Sequence, residues 1–362
     1  MTGCDFLIVG QGVAGSFLAF ELMKQGKRVM VIDNDHHDSS SLVSAGIINP
    51  ITGKRLILTP RYDLYYDCAL RAYEELEQKL GKRYFEPKPI VRIFKNTFET
   101  EQWRKAGERG IDQRYFEKVF APGTLGDDFE DSLGGVRINR CGFVRTRALL
   151  TDLRKYFIKK DSLENSSLSK DELKFSDEGV EYRGRVFERI IFCQGYQAQF
   201  NRWFDWLPFN SVKGEILSLR IEKCSDESQV FNKGKWCVPL GDKRWAAGST
   251  YIWGDLNCKP SEEGKAEILE GLKYIRSDKQ VVEHRAGVRP VLLDQKPVLG
   301  LHFENHCVAI FNGLGSKGFL MAPYYAKCLA DFLIKNKPLP QDVSINRFKN
   351  LYQSCPGKFY LL

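Results

Sequence analysis

Between Asp5 and Asp33 the chain reads DFLIV, then Gly10, Gln11, Gly12, Val13, Ala14 and Gly15, then a helical pattern to about Gln25, then an apolar run from Arg28 to Ile32 closed by Asp33. Strand, glycine turn, helix, strand and acid in that order predict the opening of a βαβ unit. In a GxGxxG turn the first glycine permits a tight bend, the second lets backbone approach a pyrophosphate, and the third lets helix and strand pack closely. The helix that starts at Val13 and Ala14 points unsatisfied N–H groups and its positive end at the phosphates. Asp33, eighteen residues after Gly15, is placed to accept from ribose hydroxyls and disfavours a 2′-phosphate, so FAD or NAD fits better than NADP. An ordinary strand-to-helix turn is the plainer alternative, and the match of position, order and spacing argues against it.

The remaining chain extends this beginning. Tyr62–Leu80 and Thr146–Lys159 carry helical spacing, the first stopped by Gly81. Val186–Cys193, VFERIIFC, reads as another buried strand, and Asp161–Asp177, rich in Ser, Asp, Lys and Glu, as a surface turn or short edge strands. From Val212 to Tyr251 the pattern becomes short alternating strands (GEILSLRI, KWCVPLG, RWAAGSTY), as expected of an antiparallel sheet. A buried strand at Cys307–Phe311, a glycine-rich turn and a closing helix from about Met321 to Ile334 follow.

Composition excludes several classes. No apolar stretch approaches the roughly 18 residues of a membrane span, and the first thirty residues lack the pattern of a signal peptide, so a cytoplasmic protein without a membrane span is expected. Ten cysteines, at 4, 68, 141, 193, 224, 237, 258, 307, 328 and 355, show no CxxC or CxxH spacing; no metal is expected, and most are read as small buried hydrophobes. The net charge of +8 is dispersed and supports a nucleic-acid partner only weakly.

The chain resembles the D-amino-acid oxidase and glycine oxidase superfamily of FAD-dependent amine oxidoreductases. The resemblance rests on GQGVAG (Gly10–Gly15), SAGIINP (Ser44–Pro50), GGVRI and GFVRTRALL (Gly134–Leu150), and IIFCQGY (Ile190–Tyr196). It continues with VKGEIL (Val212–Leu217), WCVPLGDKRWAAGST (Trp236–Thr250), AGVRPVLLDQKPVLG (Ala286–Gly300) and FNGLGSKGFLMAP (Phe311–Pro323). The last segment looks most like the oxidase half of the bifunctional enzymes that finish the aminomethyl wobble-uridine modification of tRNA. Their companion methyltransferase half is not found in these 362 residues, which weakens tRNA as a partner and leaves amine oxidation intact.

The resemblance implies an α/β fold, with a discontinuous Rossmann-like FAD-binding domain (1–85, 138–205 and 285–362) and a mainly antiparallel-sheet substrate domain (86–137 and 206–284). It implies that Ser44, Ala45, Gly46, Ile47 and Ile48 lie beside the isoalloxazine, small residues letting N–H donors approach the ring edge. Gly195 joins the cofactor set, and the turn Asn312, Gly313, Leu314, Gly315, Ser316, Lys317 and Gly318 is a second anchor at the pyrimidine end. Arg289 matches the arginine that pairs with a substrate carboxylate through two parallel N–H donors. Relatives tether flavin through a cysteine or histidine; the corresponding places hold Asn312 and Val43, so FAD is expected to be noncovalent. The implied reaction is hydride transfer from the carbon beside a neutral amine to flavin N5, giving an imine that hydrolyses, on a small-molecule amine or amino acid. Lys317 is open between a cofactor-side cation and a solvent lysine, and His284 between a proton acceptor and a structural residue; Tyr251 is a candidate for the substrate face. The competing readings are a modified wobble uridine of tRNA as substrate, a NAD-linked dehydrogenase, which the two C-terminal motifs argue against, and a dinucleotide-binding module without catalysis.

Overall fold

The computed structural model describes residues 4–35, 39–108, 111–176, 179–223 and 226–354. Its first sheet is built on five parallel strands, in the order Leu163–Asn165, Val29–Asp33, Cys4–Val9, Arg185–Phe192 and Val308–Asn312, with Val298–Leu301 antiparallel at the end. The hairpin Leu173–Ser176 and Gly179–Tyr182 continues the sheet from the first half of Arg185–Phe192. Val29–Asp33, Val308–Asn312 and the ends of Cys4–Val9 and Arg185–Phe192, buried on both faces, are the near-continuous apolar runs of the sequence. Their register matters most for function: Val9 lies beside Ile32 and Phe192, and Phe192 beside Ile310. Gly10, Asp33, Cys193 and Asn312 therefore emerge along one carboxyl edge, where ligands of open α/β sheets bind.

The helix Val13–Lys24 follows the first strand and packs on the closing helix Gly318–Lys335, which also meets Tyr62–Leu80. Tyr62–Leu80 and Thr146–Lys159 have the expected bounds. Two helices of ten residues or more had no reading in the sequence, Thr97–Glu108 and Glu262–Gly271, nor did the short ones Ser40–Val43 and Lys349–Gln353.

A second sheet of nine strands is antiparallel except where Val230–Lys233 runs parallel to Ile90–Ile93. Val212–Arg220 is central to the site, since Gln280–Arg289 pairs along its whole length. Position 285, where the second domain was expected to end, lies inside this continuous strand. The segment Asp161–Asp177 supplies edge strands at opposite ends of the first sheet, although Asp177 itself lies outside the described residues. No helix among the described residues is long and apolar enough to cross a membrane.

Cysteine burial also differs from expectation. Among the described residues Cys141, Cys193 and Cys237 are buried, while Cys68, Cys258, Cys307 and Cys328 are only partly so. The Cys4 side chain, Cys224 and Cys355 fall outside the described set.

His302 is the buried group with the clearest effect on stability. Its ring is edge-on to Trp203, Phe204 and Tyr352, and it is 2% exposed. Burial pushes its pKa down to about 4, with Glu304 opposing weakly. The folded value lies below the unfolded one, near 6.5, so the unfolded chain binds the extra proton first. Stability from this residue is complete above pH 6.5 and is lost as pH falls towards 4, by about 3 kcal/mol at most. Urea midpoints for His302→Phe should be flatter with pH over that window than those of the parent; parallel curves would exclude His302 as the cause.

Candidate active site

A single cavity of about 260 Å³ runs from Asp33 at one end to Arg289 at the other. Three places in the chain hold its first end. Gly10 has φ +101°, and a Cβ there would lie 2.6 Å from the Cys193 carbonyl oxygen. Gly15 is an ordinary helical residue, but a Cβ on it would lie 1.9 Å from Gly10 O, so helix and turn touch only because residue 15 is glycine. Gly12 is extended, and its missing Cβ would approach Ser41 Oγ; the same Oγ accepts from Val13 N at 3.1 Å.

Asp33 is 8% exposed and firmly held. Its Oδ2 accepts from Gln11 N at 2.7 Å, and its Oδ1 from Asp35 N and from Arg154 Nη1, both at 2.8 Å. Each carboxylate oxygen has two lone-pair directions, so Oδ2 keeps one acceptor position for a further donor at the cavity wall. Sequence reasoning passed over Arg154, which sits within Thr146–Lys159 and is buried with Leu149, Leu150, Leu153 and Phe157. An arginine on the apolar stripe of an amphipathic helix was the available signal.

The middle of the cavity is lined by Ser44, Ala45, Gly46 and Ile47 on one side and by Gly195, Asn312, Leu314, Gly315, Ser316 and Gly318 on the other, with Val13 and Ala14 towards Asp33. Gly46, at φ +67°, brings its backbone against Val144, where a Cβ would lie 2.4 Å from the carbonyl oxygen. Thr146 Oγ1 holds the Ser44 carbonyl at 2.8 Å. Asn312 donates from Nδ2 to Gly195 O at 2.9 Å, tying the two strand ends together.

Four expected cofactor residues are not on the cavity wall. Ile48 is 1% exposed and pairs with Gly142 in a small three-stranded sheet, because strand alternation turns it to the core opposite Ile47. Gly15 is spent on the packing just described. Gly313, at φ +75°, is buried with its missing Cβ against Leu292. Lys317 leaves the cavity and donates to Thr59 Oγ1 at 3.0 Å; burial lowers its pKa. His284 lies on the far face of the second sheet, with Nε2 2.8 Å from Glu215 Oε2.

The other end of the cavity is formed by Gly214, Ile216, Trp236, Ser249, Tyr251, Gly287, Arg289 and Pro290. Arg289 Nη2 donates to Ser249 Oγ at 2.8 Å and Nη1 to Thr250 O at 3.3 Å, with the guanidinium 4.5 Å from the Tyr251 ring centre. These bonds use two of its five N–H groups, and no carboxylate among the described residues pairs with it. Desolvation lowers its pKa, with Tyr251 acting in the opposite sense. A half-buried guanidinium with no acidic partner at a cavity wall is an anion site by electrostatics. Asp33 is the sole acid among the lining residues.

This geometry coincides with a family match. Residues 5–332 match the FAD dependent oxidoreductase (DAO) family. The chain belongs to that family. It is 24% identical over 93% of its length to the tRNA 5-methylaminomethyl-2-thiouridine biosynthesis bifunctional protein MnmC of Leptospira borgpetersenii, covering 58% of that protein. It is 25% identical over 97% of its length to the bifunctional protein ThiO/ThiG of Trichormus variabilis, covering 56% of it. The chain thus spans little more than half the length of these bifunctional relatives. In fold it is similar to glycine oxidase from Geobacillus kaustophilus, with a TM-score of 0.77 and 20% identity over 92% of this chain and 95% of that one. The α/β architecture with a mainly antiparallel second sheet is the fold of that family.

Proposed function

We propose that this FAD-dependent oxidoreductase oxidises the C–N bond of a carboxylate-bearing amine or amino acid. The observation that carries the reading is Arg289, a desolvated cation with unused donors and no acidic partner, at the far end of the cavity from the glycine turn. The residues present fit the cofactor. Gly10, Gly12 and the first helical turn at Val13 and Ala14 would take the pyrophosphate, and the spare lone pair on Asp33 Oδ2 a ribose hydroxyl. Ala45, Gly46, Ile47, Leu314, Gly315 and Ser316 would take the ring end.

Bound FAD supplies the acceptor for a hydride. The chain does the rest. Arg289 orients the substrate by its carboxylate, fixing which C–H faces the middle of the cavity. Ile47, Ile216 and Trp236 exclude water there. No acid stands near Arg289 on the cavity wall to compensate an ammonium group, so the amine is held neutral, the form that can lose hydride. We place FAD here without a covalent tether: Asn312 and Val43 stand at the tether positions, and burial raises the Cys193 thiol well above its ordinary pKa, leaving it protonated. Thiols at Cys68, Cys141, Cys193, Cys307 and Cys328 outside any disulfide fit the reducing cytoplasm.

The MnmC relative supports a second reading, in which the amine is carried by a tRNA nucleoside; Tyr251, 58% exposed beside Arg289, offers a base a stacking surface. An anaerobic titration distinguishes the two. Bleaching of the flavin band by primary or N-alkylated amino acids is the expected result. Bleaching only by an aminomethylated nucleoside or tRNA would move the substrate to the second reading, and a flavin that none of these reduces would overturn both.

A further inference from the structure

We infer that Gly214 is a positioning residue that sets the plane of the Arg289 guanidinium, and with it the preference for carboxylate-bearing substrates; the inference rests on the reading of Arg289 given above. Gly214 faces the cavity from Val212–Arg220, diagonally across the strand pair from Arg289. A Cβ on Gly214 would lie 2.1 Å from Arg289 Nη2, 2.3 Å from Cζ and 2.4 Å from Nη1. All three distances are far inside van der Waals contact and nearly equal, so the guanidinium lies flat on the space that a side chain would fill. Cζ of Arg289 also lies over the Tyr251 ring, 4.5 Å from its centre. Against this floor the fork turns only in its own plane, and Ser249 Oγ and Thr250 O take two of its N–H groups. The remaining donors stay in that plane, the geometry a bidentate carboxylate requires.

The floor is rigid for an independent reason. The neighbours of Gly214 point to the other face of the sheet, where Lys213 is 2% and Glu215 0% exposed. Lys213 Nζ donates to Asp255 Oδ2 and Asn257 Oδ1, both at 2.9 Å. Glu215 accepts from Ser261 N at 3.0 Å and from Ser261 Oγ at 2.8 Å, beside His284 Nε2. Its backbone N–H also donates to Thr250 Oγ1 at 2.9 Å, on the segment that grips Arg289. A strand fixed on both sides of Gly214 by buried ionic and hydrogen-bonded partners does not shift to admit a methyl group. The flexible end of Arg289 does.

Gly214→Ala is therefore expected to keep its flavin and its reduction by a carboxamide analogue of the best amino-acid substrate, while KM for the acid itself rises on the order of tenfold or more. The same loss should appear in the dissociation constant of a non-reacting monocarboxylate, acetate, read from the flavin spectrum. In an Arg289→Ala background the Gly214→Ala change should add nothing to either loss. An unchanged KM and acetate affinity in Gly214→Ala, with Arg289→Ala impaired, would overturn this inference and leave the function standing. If Arg289→Ala itself binds acetate normally, the functional reading fails first. Should Gly214→Ala fold poorly, the double variant is the deciding case. Recovery of its melting temperature towards that of Arg289→Ala supports a clash with the guanidinium, and no recovery refutes it.

Discussion

Replacing Arg289 by alanine is expected to lower kcat/KM for a carboxylate-bearing amine by roughly 10²–10⁴, because two charge-assisted hydrogen bonds of about 1.5–3 kcal/mol each are lost from a desolvated site. The substitution also leaves Ser249 Oγ and Thr250 O without their donor. Arg289→Lys should recover part of the loss, since it restores the charge but not the planar fork. Steady-state kinetics with the acid and its carboxamide separate the effects: the carboxamide should be nearly indifferent to both substitutions. An equal fall for both substrates would mean that Arg289 holds the cavity together and does not read a carboxylate.

Gly15→Val should abolish flavin binding and destabilise the fold by more than about 3 kcal/mol. The added Cβ would stand 1.9 Å from Gly10 O and 3.3 Å from Cys193 Cβ. The first of these is backbone, so no rotamer relieves it, and the helix Val13–Lys24 must move off the strand edge that carries the glycine turn. Gly26→Ala is the matched control. Its φ of +77° makes alanine strained, but nothing lies within 4 Å of the new Cβ, so a cost of about 1 kcal/mol and full flavin occupancy are expected. Absorbance of the purified variants and their melting temperatures test both; a yellow Gly15→Val protein with the parent melting temperature would contradict the packing argument.

What the sequence revealed depended on range. Helices whose apolar stripe is self-contained, Tyr62–Leu80 and Thr146–Lys159, were legible to the residue, and the run from the first strand to Asp33 to within one residue at each element end, because each is a local pattern. Thr97–Glu108 and Glu262–Gly271 are more polar, and nothing in their spacing stood out. At the site, the resemblance led to Arg289, but neither Gly214 nor Ser249 could be connected with it, because they meet only through the register of Val212–Arg220 with Gln280–Arg289 and Arg244–Gly248. The Ile48 side chain turns to the core by one step of strand alternation. Lys317 was ambiguous because its partner, Thr59, belongs to a segment far away in sequence.

The order of strands in the nucleotide sheet also governs how the molecule comes into being. Phe6 pairs with Arg189, half the chain away, and Ile190 pairs with Val308, a further third of the chain along. Parallel pairings over such separations incur their loop-closure entropy before any contact offsets it, which makes assembly of the sheet slow. While a nascent chain lacks Val308–Asn312, the edge of Arg185–Phe192 beyond the hairpin has no partner strand, and the cavity lacks the wall that Asn312, Leu314 and Gly315 provide. Cofactor loading must then follow synthesis of the last strand, and a supply of free flavin at that moment captures the closed sheet by mass action.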